Sequence, residues 1–189
     1  MLAVRRCVAI LLLVALLLGC SNSGDNVDKG IAIRRLFMKE SGIRFCADIT
    51  ADYGDMTHSF SVQCDASSSG DVAFTVTKPD TIAGIKGAIS ASGGQLQFGD
   101  KVLLFEPMVF GQISPVLAPW LMVKAIQGGY IQSQSVDGEG CQLLIDDTYS
   151  NAQFQIVLTL DRESVPTDCE IIWSNRRILM IHITQFDIV

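Results

Sequence analysis

Cysteine and histidine are the residue types through which this sequence could support covalent or metal chemistry. The 189 residues contain six cysteines and two histidines. Those residues are Cys7, Cys20, Cys46, Cys64, Cys141, Cys169, His58 and His182. The cysteines form no CxxC pair, and neither histidine belongs to an HExxH motif or stands beside a serine elbow. We therefore predict no metal ion and no cofactor.

Carboxylates add little support for catalysis. Residues 146–147 and 161–163 contain neighbouring carboxylates, but their setting is typical of turns. A paired acid and base would need a defined cleft and separation. His182 stands within an apolar segment, where a structural role is more common than a catalytic one. We expect a protein that is not an enzyme.

The setting of Cys20 indicates a specific chemistry. Arg5 and Arg6 precede an unbroken apolar run over residues 7–18, and a polar segment over residues 21–26 follows Cys20. A basic start, a short apolar core and a small residue before the break are typical of an export signal. A membrane-spanning helix would need about 20 apolar residues.

The tetrapeptide Leu17-Leu18-Gly19-Cys20 resembles the signal box of bacterial lipoproteins, although Leu18 is larger than usual at its position. The resemblance implies that residues 1–19 are a lipoprotein signal peptide. It also implies that Cys20 carries the lipid, which would include palmitate and would attach the protein to the membrane. We expect the protein to lie on the extracytoplasmic face of the cell envelope, anchored in either the inner or the outer membrane.

Composition limits the partners of the remaining chain. Removal of residues 1–19 leaves 170 residues, which suits one domain over residues 31–189. Arg5 and Arg6 leave with the signal, so 12 basic residues stand against 20 acidic ones, a formal net charge of −8. Because phosphate binding requires clustered lysine and arginine, we predict no nucleic-acid partner.

Four cysteines outside the signal could form two disulfides in an oxidising compartment. If residues 52–55 form a hairpin turn, Cys46 and Cys64 lie opposite each other, although their neighbours place them on different faces unless a bulge intervenes. Cys141 and Cys169 are separated by another strand, about 9.5 Å, and could join only where residues 138–141 leave the sheet. We predict Cys46–Cys64 first and Cys141–Cys169 second.

The elements that must position these residues are mostly strands. Alternating apolar residues and turn signals predict about ten or eleven strands in a mainly β (α+β) domain. They cover residues 43–50, 57–64, 71–78, 85–90, 95–98, 101–105, 130–135, 142–146, 152–160, 170–173 and 178–186. The last of these strands is apolar on both faces, so we expect both faces to be covered.

Residues 20–30 are predicted to be the lipidated cysteine and a flexible tether. Residues 33–38 could form a helical turn or a strand, and we favour a strand.

Residues 113–126 are the best candidate for a helix. Ser114 could cap it and Pro115 suits its first position. Pro119 would delete a hydrogen bond, so the helix begins at Ala118 or kinks there. It is apolar on nearly all sides. A strongly curved antiparallel sheet, an incomplete barrel wrapped around this central apolar helix, fits the pattern best.

The order of these elements resembles the LolA/LolB/LppX-like fold, which includes the RseB-like sensor domain. The strand over residues 74–79, followed by residues 85–90, 95–98 and 104–107, is similar to that family's strands near proline, and residues 161–189 are similar to its closing strands. The resemblance implies a barrel whose open side is lidded by helices. Soluble carriers of this family shuttle freely, whereas Cys20 would tether this chain and favour a fixed role.

The central helix has two interpretations. It could fill the barrel mouth as core, the commoner use of such residues, or it could lid a cavity that admits an acyl chain. The candidate lining residues are Phe74, Val76, Leu104, Phe105, Leu117, Trp120, Leu121, Phe154 and Ile156. Under the first interpretation, the domain is a protein-interaction or regulatory module, which includes a homodimer formed through an edge strand. Under the second, it binds an apolar or lipid-like ligand.

Overall fold

The computed structural model describes residues 24–39, 42–106, 113–137, 140–149 and 153–189. Cys20 and the predicted signal lie outside these residues. Within them, eleven strands form one sheet. The strands are β1 Ile43–Asp52, β2 Thr57–Ala66, β3 Val72–Lys78, β4 Lys86–Ser90, β5 Gly93–Phe98, β6 Lys101–Phe105, β7 Tyr130–Asp137, β8 Gly140–Asp146, β9 Phe154–Leu160, β10 Pro166–Trp173 and β11 Arg176–Ile188. Helix α1 is Gly24–Phe37, and α2 is Ala118–Gly128 after a 3₁₀ turn at Pro115–Leu117.

The strands form a single antiparallel sheet that does not close. Their order is β6-β5-β4-β3-β2-β1-β11-β10-β9-β8-β7, so the first and last strands pair at the centre and β6 and β7 form the two edges. Strands such as β1 and β9 bury alternate side chains on the face that carries the helices, whereas the edge strand β6 has no buried residue. The predicted mainly β, incomplete barrel is confirmed. No helix in these ranges has the length and apolarity needed to cross a bilayer.

Helix α2 is the central apolar element that the sequence predicted. Eight of its eleven residues are buried, and it packs against α1 and several strands of the sheet. Its α-helical part begins at Ala118, so Pro119 occupies the first turn, where its missing N–H has no helical partner to lose. The predicted side-chain cap by Ser114 is wrong, because its backbone carbonyl, not its hydroxyl, accepts the Leu117 N–H at 3.0 Å.

Helix α1 replaces the strand predicted over residues 33–38, and it also takes up residues 24–30 of the predicted flexible tether. Ile33 and Phe37 are four residues apart, so a helix places both on one face, and both are buried. Arg34 lies beside them and donates to carbonyls of α2. Tertiary contacts therefore select the helical alternative for a segment whose composition resembles a linker.

The two apolar faces predicted for the last strand are explained by bulges. The pairing of β11 shifts at Ile178 against β10 and at Thr184 against β1. A bulge changes the face on which the following residues lie. Phe186 therefore returns to the inner face, where its ring centroid lies 5.8 Å from that of Phe37. His182 is exposed on the other face, so the expectation that both faces are covered is wrong.

Candidate functional site

Most of the residues predicted to line a cavity are part of the packed core. Phe74, Val76, Leu117, Trp120, Leu121, Phe154 and Ile156 are all buried and belong to one continuous apolar cluster. None of them lines the large cavity between β1 and β6. The core interpretation therefore applies to α2. Leu104 and Phe105 are the two predicted residues that reach this cavity.

The cavity has a volume of about 930 Å³ and lies at one end of the sheet. We name it the β1–β6 cavity. Two neighbouring rows line it: Asp65, Ala73, Ala88, Gln95 and Leu104 on the outer face of the sheet, and an inner-face row of directly opposed residues that crosses all six strands. From β1 to β6 the inner-face row is Ile43, Ala66, Val72, Ile89, Gly94 and Phe105. Four of its members are aliphatic and buried, so the row forms an apolar floor.

Polar groups surround this floor. Ser90 and Ser92 share a hydrogen bond at 2.8 Å, and the Arg44 guanidinium donates to Asp65 at 2.7 Å. The Ser67 hydroxyl lies 2.7 Å from that of Ser69. An apolar floor with a small set of polar groups at its rim is the usual composition of a site for a small apolar ligand.

The rim is held in place by the helices. Gln127 of α2 donates through Nε2 to the Phe37 carbonyl of α1 at 2.8 Å and to the Ser67 carbonyl at 3.1 Å. One side chain thus joins both helices to the turn between β2 and β3. The geometry of the cavity mouth therefore depends on the packing of α1 and α2.

Sequence reasoning missed the row that forms the floor. Ile43, Val72 and Ile89 were each expected in strands, but only the hairpin registers place them side by side. The turn at residues 67–70 was visible in the sequence and could have supplied one of those registers. Leu104 is 75% exposed because β6 is an edge strand with no neighbour on its outer side among the residues described.

The cysteines in the domain are free thiols. Cys64 is opposite Phe45, and Cys46 is opposite Gln63, so the two cysteines are one position out of register and on different faces. The predicted Cys46–Cys64 disulfide is therefore wrong. Cys141 and Cys169 lie on β8 and β10, and the predicted pairing between them is wrong because β9 separates the two strands and both thiols are free.

Burial explains the chemistry of these thiols. Desolvation raises the pKa of Cys64 and Cys169 far above its ordinary value, and neighbouring acidic groups raise it further. Burial also raises the pKa of Cys141, although Lys29 and Gln134 act in the opposite direction. Because the thiolate is the reactive form, these three cysteines serve as small apolar residues.

The histidines do not form a catalytic arrangement with the described residues. His182 Nδ1 lies 2.8 Å from Asp168 Oδ1 on the exposed face of the sheet, and neither residue lines the β1–β6 cavity. The His58 ring lies 6.4 Å from the Tyr53 ring near the β1–β2 turn. Across the described ranges, no three His, Cys, Asp or Glu side chains are arranged to hold a metal ion.

Comparison with known proteins gives a likeness of fold. No protein-family model matches this sequence, and a search of curated proteins finds no match. A DUF1329 family protein from Desulfovibrio piger is 10% identical, with a TM-score of 0.50 over 85% of this chain and 90% of that one. Over that extent, the likeness shows a shared fold and, at this identity, nothing beyond the fold.

Two further structures are similar at a lower level. A LolA superfamily protein from Nitrosomonas europaea is 7% identical, with a TM-score of 0.48 over 85% of this chain and 93% of that one. The lipoprotein LppX from Mycobacterium tuberculosis is 8% identical, with a TM-score of 0.42 over 86% and 96%. The open antiparallel sheet with helices on one face is the incomplete barrel that the sequence predicted.

Proposed function

We propose that this protein is a lipid-anchored, extracytoplasmic binding protein that holds an apolar or lipid-like ligand in the β1–β6 cavity and catalyses no reaction. The observation that carries the proposal is the continuous apolar row across six strands, which lines a cavity of about 930 Å³. Ligand sites in proteins usually enclose about 300–1,000 Å³. The row would contact an acyl chain, and the serine hydroxyls at the rim would face its polar end.

Cys20 supplies the anchor in this proposal. A fixed anchor favours local presentation or sensing of the ligand over free transport between membranes. Replacing Cys20 with alanine removes the thiol that would accept the lipid, so the Cys20→Ala protein should leave the membrane fraction. Fractionation of cells followed by immunoblotting measures this. A Cys20→Ala variant that stays membrane-bound after a salt wash contradicts the anchor.

Ligand binding can be tested in the membrane with a photoactivatable palmitate analogue. We expect ultraviolet light to crosslink it to peptides that contain Val72 or Ile89, as located by mass spectrometry. Gln95 is exposed, lines the cavity and tolerates a larger side chain sterically, so Gln95→Trp should reduce crosslinking about tenfold by occupying the space.

Gln97→Trp is the matched control for that variant. Gln97 is exposed on the same face of β5, two residues further along, and does not line the cavity. Crosslinking should be unchanged in Gln97→Trp. Equal crosslinking in the two variants, or crosslinks elsewhere in the wild-type chain, would contradict binding in the β1–β6 cavity.

A second candidate function, protein interaction through a homodimer, is favoured by the edge strand β6. Val102, Leu103 and Leu104 are 59%, 62% and 75% exposed, and they lie on both faces of that strand. Exposed apolar edges invite pairing with another strand. A twofold axis perpendicular to the sheet would place Leu103 opposite Leu103 of a second copy and Val102 opposite Leu104.

The oligomeric state decides this second candidate. Analytical ultracentrifugation in detergent should detect a dimer in the wild type, and Leu103→Lys should give a monomer. Val136 lies on the opposite edge strand, β7, and is also exposed, so Val136→Lys is the matched control and should remain dimeric. A wild-type monomer across micromolar concentrations would contradict the candidate.

A further inference from the structure

A second cavity, of about 440 Å³, lies at the other side of the sheet, where β8, β9 and β10 meet. It is separate from the β1–β6 cavity and shares no residue with it. Its lining consists of one exposed indole, one carboxylate, four amide or hydroxyl side chains, one buried phenylalanine and one half-buried isoleucine. These are Trp173, Asp146, Gln153, Gln155, Ser174, Asn175, Phe154 and Ile172.

One carboxylate oxygen of Asp146 has no hydrogen-bond donor among the described residues. Its Oδ2 accepts from the Gln132 amide, but its Oδ1 is buried and has no partner among the residues that the structure describes. An ionised carboxylate only accepts hydrogen bonds, and a buried oxygen left without a donor is costly. A ligand that offers hydroxyl donors at this position would remove that cost.

Trp173 offers an exposed aromatic surface at the same cavity. It ends β10 and is 37% exposed, whereas Trp120, the other tryptophan of the chain, is buried. The backbone of the following turn has φ of 50° at Ser174 and 60° at Asn175, and both residues line the cavity together with the ring. An exposed indole combines a flat apolar face with a polar N–H at its edge.

The wall opposite this turn is also fixed. Asp147 Oδ1 accepts the backbone N–H groups of Gln153 and Phe154 at 2.9 and 3.2 Å, which holds the start of β9 in place. Gln155 pairs directly with Asp146 across β8 and β9. Asp146 is the single charged residue in the lining, so the amides, each able to donate and accept, dominate its polar surface.

We propose that this cavity binds one ring of a neutral saccharide. The face of a pyranose ring that carries C–H groups would stack on Trp173, and its hydroxyls would donate to Asp146 Oδ1. The amides of Gln153, Gln155 and Asn175 would bind the remaining hydroxyls as donors or acceptors. The cavity combines one flat aromatic face with planar polar groups at its edge. A sugar ring, which has apolar C–H groups on its face and hydroxyls around its edge, matches this combination better than an acyl chain or an anion does.

The test uses the full chain in a detergent without a sugar headgroup, titrated separately with tri-N-acetylchitotriose and with cellotriose. The two indole N–H signals are followed by ¹H–¹⁵N NMR, and the Trp173→Phe variant assigns them. We expect saturable shifts of the Trp173 signal with at least one trisaccharide, while the Trp120 signal stays in place. Trp173→Ala and Asp146→Asn should each weaken binding about tenfold, followed on the Asn175 amide.

Phe98→Ala is the matched control, because Phe98 is an exposed aromatic residue on β5, away from this cavity, and its loss should leave binding unchanged. Asp146→Asn preserves the shape of the side chain, so it tests the site even if Trp173→Ala fails to fold. The proposal is overturned if neither trisaccharide shifts the Trp173 signal. It is equally overturned if free arginine shifts that signal and the trisaccharides do not.

Discussion

Two phenylalanine and glycine pairs pack across neighbouring strands, and one of them, Phe105 with Gly94, lines the β1–β6 cavity. A Cβ atom on Gly87 would lie 2.1 Å from Cζ of Phe74, and one on Gly94 would lie 2.4 Å from Cζ of Phe105. In both pairs the tip of the ring therefore occupies the space that a side chain on the glycine would take. The absence of a side chain at these two positions leaves room for the Phe74 and Phe105 rings.

We predict that Gly87→Ala destabilises the protein by about 1–3 kcal/mol, because the buried Phe74 ring must shift. Gly128→Ala is the matched control. Gly128 lies in helix α2 with no atom within 4 Å of its would-be Cβ, so alanine there should be neutral or slightly stabilising. Thermal unfolding followed by circular dichroism measures both. Equal melting temperatures for the two variants would contradict this packing.

At the scale of elements, the carboxyl end of α2 is bound to α1. Arg34 Nε donates to the Ile126 carbonyl at 2.8 Å, and its Nη2 donates to the Gly129 carbonyl. Carbonyls at the end of a helix lack helical partners and carry partial negative charge, so a guanidinium satisfies both needs. This contact fixes α1 on the inner face of the sheet.

Arg34→Ala should therefore lower the free energy of unfolding by about 1–3 kcal/mol through the loss of charge-assisted hydrogen bonds. Arg35→Ala is the matched control, because Arg35 is the exposed neighbour on the same helix, and its effect should be below about 0.5 kcal/mol. Urea denaturation gives both values. A similar loss of unfolding free energy in the two variants would mean that the hydrogen bonds of Arg34 do not stabilise the fold.

The strands were predictable from sequence because alternation and turn residues agree locally. Phe154, Ile156 and Leu158 alternate with polar neighbours, and β9 contains all three on its buried face. Helix α1 was missed because its sequence is polar and rich in glycine, aspartate and lysine over its first turns. The spacing of Ile33 and Phe37 was compatible with either alternative, and contacts with α2 decide between them.

The candidate site was less predictable than the strands. Phe105 and Leu104 were identified because they end an apolar strand before a proline. The floor of the cavity required the strand register, which depends on the length of each turn between neighbouring strands. A single-residue error in any of these pairings would move the opposing side chain to the other face.

At the scale of the whole molecule, buried thiols link stability to alkaline pH. Burial raises the pKa of Cys64 and Cys169 above the ordinary value of 9.0. The unfolded chain releases these protons as the pH rises through 9, while the folded chain retains them. Their stabilising contribution is therefore complete below pH 9 and is lost as the pH rises towards the folded-state values.

We predict that the free energy of unfolding falls above pH 9 by up to about 1.4 kcal/mol per pH unit for each of these two thiols. Urea denaturation at a series of pH values between 8 and roughly 10.5 would measure the slope. The Cys64→Ala/Cys169→Ala variant should have a shallower slope in that range. Parallel slopes in the wild type and the double variant would exclude this linkage.

The central claim, that the domain holds an apolar ligand beside its lipid anchor, is tested most directly by native mass spectrometry of the protein after gentle extraction from membranes. We expect the wild-type chain to carry an additional apolar molecule that is not covalently bound, and we expect Gln97→Trp to retain it. Gln95→Trp should lack it, because the indole occupies the β1–β6 cavity. A wild-type chain without any bound molecule, as monomer or dimer, would contradict the account.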